Sequence, residues 1–151
     1  SEYKVRIEMS LEKSENLWTI ECQLESHNVG EGRWVTQQWE WKSVDLKPTK
    51  ANSLTLPLEL YKDERTDYRF NLSSVQPKLF LALENLDTLE PVKLTASQSV
   101  AASYLDGDYL VLSIEMPLPI QAWMEAFIGR HGELLEQKRK KRKGAGRASG
   151  K

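Results

Sequence analysis

The chain has 151 residues, of which 40% are hydrophobic and 28% charged, with 21 Lys and Arg against 22 Asp and Glu. That length supports one core and hardly two, and no apolar run approaches the roughly 18 residues needed to span a bilayer. The near-neutral total hides two opposed regions: residues 1–137 hold 13 basic and 22 acidic residues, net -9, while residues 138–151 hold eight basic and no acidic ones.

Hydropathy alternates with period two over the first two thirds of the chain, as half-buried strands require. Tyr3, Val5, Ile7 and Met9 mark a first strand. A polar turn at Glu12-Lys13-Ser14-Glu15-Asn16 leads to a second, with Trp18, Ile20, Cys22 and Leu24 on one face. The stretch His27-Asn28-Val29-Gly30-Glu31-Gly32 reads as a loop, its glycines free to adopt positive φ. A third strand is expected between Trp34 and Val44, with Val35, Trp39 and Trp41 on one face. Leu54, Leu56, Leu58 and Leu60 alternate most clearly, and Pro57 among them predicts an edge strand or a bulge. Asp63-Glu64-Arg65 reads as a hairpin turn into a strand bearing Tyr68, Phe70 and Leu72.

Short strands follow at residues 79–83 and 91–94, then a helix capped by Ser97 that ends at Asp106-Gly107. A last strand covers residues 109–114. Pro119 suits the first turn of a helix whose stripe is Ile120, Trp123, Met124, Phe127, Ile128, His131, Leu134 and Leu135. The stripe should pack on the sheet to about His131 and fray beyond. These elements predict a β-rich α+β fold: a mostly antiparallel curved sheet or partly open barrel, with one short helix and one C-terminal helix packed on it. Residues 1–137 are expected to form a single globular domain, and residues 138–151 a disordered basic tail that buries too little surface to offset its ordering entropy.

Catalytic patterns are missing from the sequence. Cys22 alternates inward with Trp18 and Ile20, so it reads as a buried inert thiol. His27, His131 and Cys22 have no partners at metal-site spacing, and His131 fits a structural place near a helix end. Neither a phosphate-binding glycine loop nor a G-x-S-x-G serine occurs. Asp63, Glu64 and Asp67 read as solvating a turn; a cleft near them or Asp106 is where an enzyme's carboxylates would lie. The expectation is a protein that is not an enzyme and takes no cofactor and no metal.

Binding signals are of two kinds. Trp39 and Trp41 read as core, whereas Trp34 follows the glycine loop on the opposite parity and is the indole expected at the surface. Lys138, Arg139, Lys140, Lys141, Arg142 and Lys143 form an unbroken basic run. Such a run neutralises phosphates in a salt-dependent way, or touches anionic lipid. Against nucleic acid stand the acidic body and the lack of aromatic residues among the cations; lipid binding lacks an apolar anchor. A third reading is a solvated end that docks on an acidic partner, and an exposed charged end fits best. The start, Ser1-Glu2-Tyr3-Lys4-Val5, lacks a signal's apolar core, and the single cysteine permits no internal disulfide. Both fit a cytoplasmic protein.

The order of local motifs resembles a known family. Those motifs are Leu56-Pro57-Leu58-Glu59-Leu60-Tyr61, then Glu64, Tyr68, Asn71 and Leu72, then Thr95-Ala96-Ser97 with Tyr104-Leu105-Asp106-Gly107, and finally Met116-Pro117 before Trp123. They are similar to a family of small uncharacterised bacterial proteins encoded beside molybdenum- or tungsten-dependent formate dehydrogenase genes. The resemblance covers most of residues 31–137 and the basic end. It implies a cytoplasmic accessory role around formate dehydrogenase, in maturation or assembly, and transfers no catalytic or binding residue. The leading expectation is therefore a binding protein whose partner is a formate dehydrogenase subunit or maturation factor. Contact is expected through strand pairing at residues 54–60 or through Trp34, with the basic run adding electrostatic attraction. The alternative is a nucleic-acid-binding regulator acting through that run.

Overall fold

The computed structural model describes residues 13–84 and 87–132. The expected strand at Tyr3, Val5, Ile7 and Met9, the stripe residues Leu134 and Leu135, and the basic run 138–143 lie outside them.

Alternation builds the strands where it was read. β1 (Leu17–Val29) turns Trp18, Ile20 and Cys22 inward and pairs antiparallel with β2 (Thr36–Asp45) on one side and β3 (Thr55–Glu59) on the other. Pro57 faces Thr19 in β3, at the edge of this ladder, where a missing N–H is tolerated. A second antiparallel sheet sets β4 (Lys78–Leu83) between β5 (Pro91–Thr95) and β6 (Leu110–Glu115). β3 runs beside β5, and β2 beside β6, without a ladder across either seam. The six strands thus form a barrel that stays open along two lines. Lys93 of β5 bridges one seam by lying over the Tyr61 ring, 5.3 Å from its centroid.

Among the described residues three α-helices complete the α+β fold: α1 (Arg65–Leu72), α2 (Gln98–Asp106) and α3 (Leu118–His131). Ile120, Trp123, Met124, Phe127 and Ile128 of α3 enter one core with Leu58, Leu79, Leu81 and Leu83 from the strands. The Trp123 ring meets Trp18 edge-on at 5.4 Å, and Phe127 meets Tyr68 at 6.3 Å. Each buried indole N–H finds a main-chain acceptor: Trp18 donates to Leu46, Trp41 to Ser43 and Trp123 to Ser14. Ser97 caps α2 by accepting from the Val100 amide at 3.1 Å.

Three expectations are corrected. The segment with Tyr68, Phe70 and Leu72 is the helix α1, entered through a 3-10 turn at Lys62–Glu64, and not a strand. Its buried residues are Arg65, Tyr68 and Asn71, a step of three, while Phe70 stands 66% exposed. A strand would have put Phe70 on the face of Tyr68. β1 continues through His27, Asn28 and Val29, so the loop read there begins only at Gly30. Trp39 is half-buried, not a full member of the core that takes Trp41.

Arg65 fixes α1 against α3. Its guanidinium donates to the carbonyls of His131 and Gly132, closing the C-terminal end of α3 with a cation. Arg69 adds a two-pronged bond to Glu125, at 3.1 and 2.8 Å. Among the described residues no helix is long and apolar enough to cross a membrane.

Candidate functional site

β3 accompanies β1 only from Leu17 to Glu21, with one further bond from the Cys22 amide to the Leu54 carbonyl. Beyond that point β1 keeps β2 alone, and the ladder shifts by a bulge between Gln23 and Leu24. A bulge bends its strand and strengthens the local twist. Residues 24–29 and 36–40 therefore leave the barrel as a two-stranded ribbon, with most side chains exposed along β2 before Trp41. One ribbon face carries an ion-pair cluster: Lys42 to Glu25 at 2.6 Å, and His27 to Glu40 at 3.2 Å and to Glu25 at 3.7 Å. The hydrogen bond from Lys42 holds the Glu25 carboxyl below its ordinary range, and the same bond raises the Lys42 ammonium above its own.

Local geometry at the ribbon tip presents Trp34. Gly30 adopts φ +109, and a Cβ there would lie 2.4 Å from the Trp34 carbonyl oxygen. Only glycine permits both the angle and the approach. Gly32 at φ +60 then opens a 3-10 turn (Gly32–Trp34), closed by the Trp34 amide on the Glu31 carbonyl at 3.0 Å. The indole of Trp34 is left 78% exposed between Val29 at 43% and Val35 at 45%. Among the described residues its N–H meets no acceptor, unlike the three buried indoles.

The polar groups of the body do a different job. Tyr68 donates its hydroxyl to Glu64 at 2.8 Å and accepts from the Tyr61 amide at 2.9 Å. Burial, reinforced by Glu64, pushes that phenol far above its ordinary range. Asp67, expected to solvate a turn, instead joins α1 to α2 by accepting from Ser97 at 2.7 Å and Ser99 at 3.1 Å. Asn71 donates to the carbonyls of Lys78 and Ala96 and accepts from the Lys78 amide. The motif residues that carry the family resemblance thus tie α1 to β4, to β5 and to the start of α2. They are fasteners of the fold, and each polar atom named here is used within it.

Nothing in this network gathers around a reacting centre. Burial and the neighbouring Glu21 push the Cys22 thiol up to about 12, far from the thiolate a nucleophile needs. Among the described residues no group of three or more His, Cys, Asp or Glu side chains is placed to hold a metal ion. A cleft of about 390 Å³ lies beside Asn71, Val75, Lys78 and Phe80, and its lining includes no carboxylate, histidine or cysteine. Asp106 ends α2, away from that lining. His131 packs against Phe127 with its ring tilted by 58° and the centroids 4.7 Å apart, at the end of α3.

Of the expected contact residues, the structure places Trp34 at the ribbon tip, while Lys138, Arg139, Lys140, Lys141, Arg142 and Lys143 lie outside the described residues. The edge of residues 54–60 is confronted by β5, which leaves less room for an added strand than the sequence implied. Sequence reasoning missed the ribbon itself. Its one signal is the pair of polar runs, Glu25 to Asn28 and Thr36 to Gln38, that flank Gly30 and Gly32 and continue two strands past their buried halves.

Residues 22–142 match the family described as "Protein of unknown function (DUF3305)". No curated protein and no solved structure matches the chain.

Proposed function

The chain belongs to the DUF3305 family, and we propose that it is a non-enzymatic accessory protein whose ribbon engages a protein partner. The observation that carries this reading is the tip: a glycine-only conformation holds an indole 78% exposed, with no role in the core. Tryptophan and arginine are the side chains most often found at the energetic centre of protein interfaces, and Arg33 adjoins Trp34 in the same turn. A rigid indole loses little conformational entropy on docking, so its burial converts efficiently into affinity.

The partner proposed is a formate dehydrogenase subunit or one of its maturation factors, in the cytoplasm. That choice rests on the motif resemblance. The basic residues 138–143 add long-range attraction to an acidic partner. Affinity purification from native extract at low salt tests the reading. The full chain should retain the dehydrogenase or its maturation factor, and Trp34→Ala and Gly30→Ala should both lose it. Retention that is indifferent to both substitutions sinks the ribbon as the contact.

The charge of +8 on residues 138–151 supports a second reading, binding of nucleic acid. Titration of labelled DNA and RNA at low and moderate salt, with and without that segment, separates the two. Binding that requires the segment and collapses with salt favours the second.

A further inference from the structure

A two-stranded ribbon is marginal in water; independent stability takes three or more strands around an apolar face. Among the described residues, this ribbon has two beyond Cys22, and β2 is a terminal strand of its sheet. Two of the other terminal strands are guarded: β3 carries Pro57 and is confronted by β5, which itself carries Pro91 and Lys93. β6 runs beside β2, whose residues 35–38 nonetheless stay exposed. Prolines and lysines on an edge discourage further strands. Residues 35–39, Val-Thr-Gln-Gln-Trp, have neither, and no charge at all. Val35 is already extended, at φ -73 and ψ 127, so strand geometry starts one residue before β2. Val35, Gln37 and Trp39 share one face of it, with Val35 exposed and Trp39 half-buried.

We propose that this edge pairs with the same edge of a second copy, antiparallel about a two-fold axis through Gln37. That register sets Val35 of each copy opposite the partner's Trp39, and Thr36 opposite the partner's Gln38. Aromatic and β-branched side chains directly opposite stabilise a ladder, and no like charges meet. The result is a four-stranded sheet closed by its own symmetry. The free edge of β1 is a poorer candidate, because pairing about His27 would set two histidines opposite one another. Five residues from each copy bury less than the roughly 1,200 Å² of stable complexes, so the dimer is weak. This self-pairing goes beyond the proposed function and does not depend on the partner.

Charge exchange at the axis tests it on the full chain. Gln37→Glu and Gln37→Lys each set like charges opposite one another and should weaken self-association up to about five-fold in sedimentation. An equal mixture of the two should restore it. With Cys22 buried, a single introduced thiol reports proximity: under mild oxidation Gln37→Cys should cross-link faster than Gln38→Cys, and both faster than Val75→Cys, which is exposed on the body. A monomer at about 500 µM, a mixture no better than its components, or Gln37→Cys cross-linking no faster than Val75→Cys would each overturn the proposal. Such results would leave the edge to another strand, such as the alternating segment at Tyr3 to Met9 or a segment of a different protein.

Discussion

The barrel and the ribbon are built from the same two strands and differ in what those strands bury. The inner halves of β1 and β2 deliver Trp18, Ile20, Cys22 and Trp41 to the core. The outer halves end in Val29, Trp34 and Val35, all exposed. In the barrel each indole is enclosed and its N–H donates to a carbonyl. At the tip the indole is enclosed by nothing. In the body Tyr68, Asp67 and Asn71 likewise bond to other side chains and to the main chain, whereas the ribbon's charges form a solvent-accessible cluster. Stability is concentrated in one region and the proposed recognition falls in the other, and substitutions should separate them.

The largest effect is expected at the helix–barrel contact. Trp123→Ala removes the edge-on ring from Trp18 and opens a cavity, so chemical denaturation should show a loss of about 3–5 kcal/mol. Asn71→Ala comes next. It leaves the Lys78 amide and the Lys78 and Ala96 carbonyls without their partner, for a loss of about 3 kcal/mol in the same assay. Tyr68→Phe orphans the Tyr61 amide and should cost about 1–2 kcal/mol.

The same tyrosine sets an alkaline limit. Its folded phenol is raised above an ordinary value of 10.0, so its contribution is full below pH 10.0 and falls as pH rises beyond it, because only the unfolded chain ionises readily there. Alkaline unfolding should move to higher pH in Tyr68→Phe, relative to that variant's own stability at neutral pH. Glu25 has the opposite sign: its contribution is present above its ordinary 4.5 and is lost as pH falls through its lowered folded value. The Glu25–Lys42 pair is accessible to solvent, so at low pH ribbon amides should lose protection, measured against their intrinsic exchange rates, while barrel amides keep theirs. At the bottom of the scale, Trp34→Ala should alter stability by less than about 0.5 kcal/mol. A larger loss would show that the tip is part of the folded core's support, and would erase the distinction between the two regions.

Much of the fold was legible because alternation and capping are local. Leu54 to Leu60 announced β3 and its edge position through Pro57, and Ser97 announced α2. The apolar stripe from Ile120 to Ile128 announced α3, whose residues all reached the core. The segment from Arg65 to Leu72 was misread because Tyr68, Phe70 and Leu72 alternate, and the competing step of three includes an arginine and an asparagine. Buried Arg65 and Asn71 are acceptable only because distant main-chain groups bond them, which no local pattern reveals. The barrel's seams were hidden for a related reason: they form between strands far apart in sequence. Trp34 was legible as exposed, from its glycine flanks. The ribbon that carries it was not, since a strand extending past its sheet looks locally like a loop rich in polar residues.

Affinity purification with the full chain and Trp34→Ala in parallel, each with its melting temperature measured, tests the division most directly. The account predicts that formate dehydrogenase, or its maturation factor, is held by the unaltered chain and lost from the variant while the two melt together. Equal retention by both chains, or a variant that melts well below its parent, would contradict it.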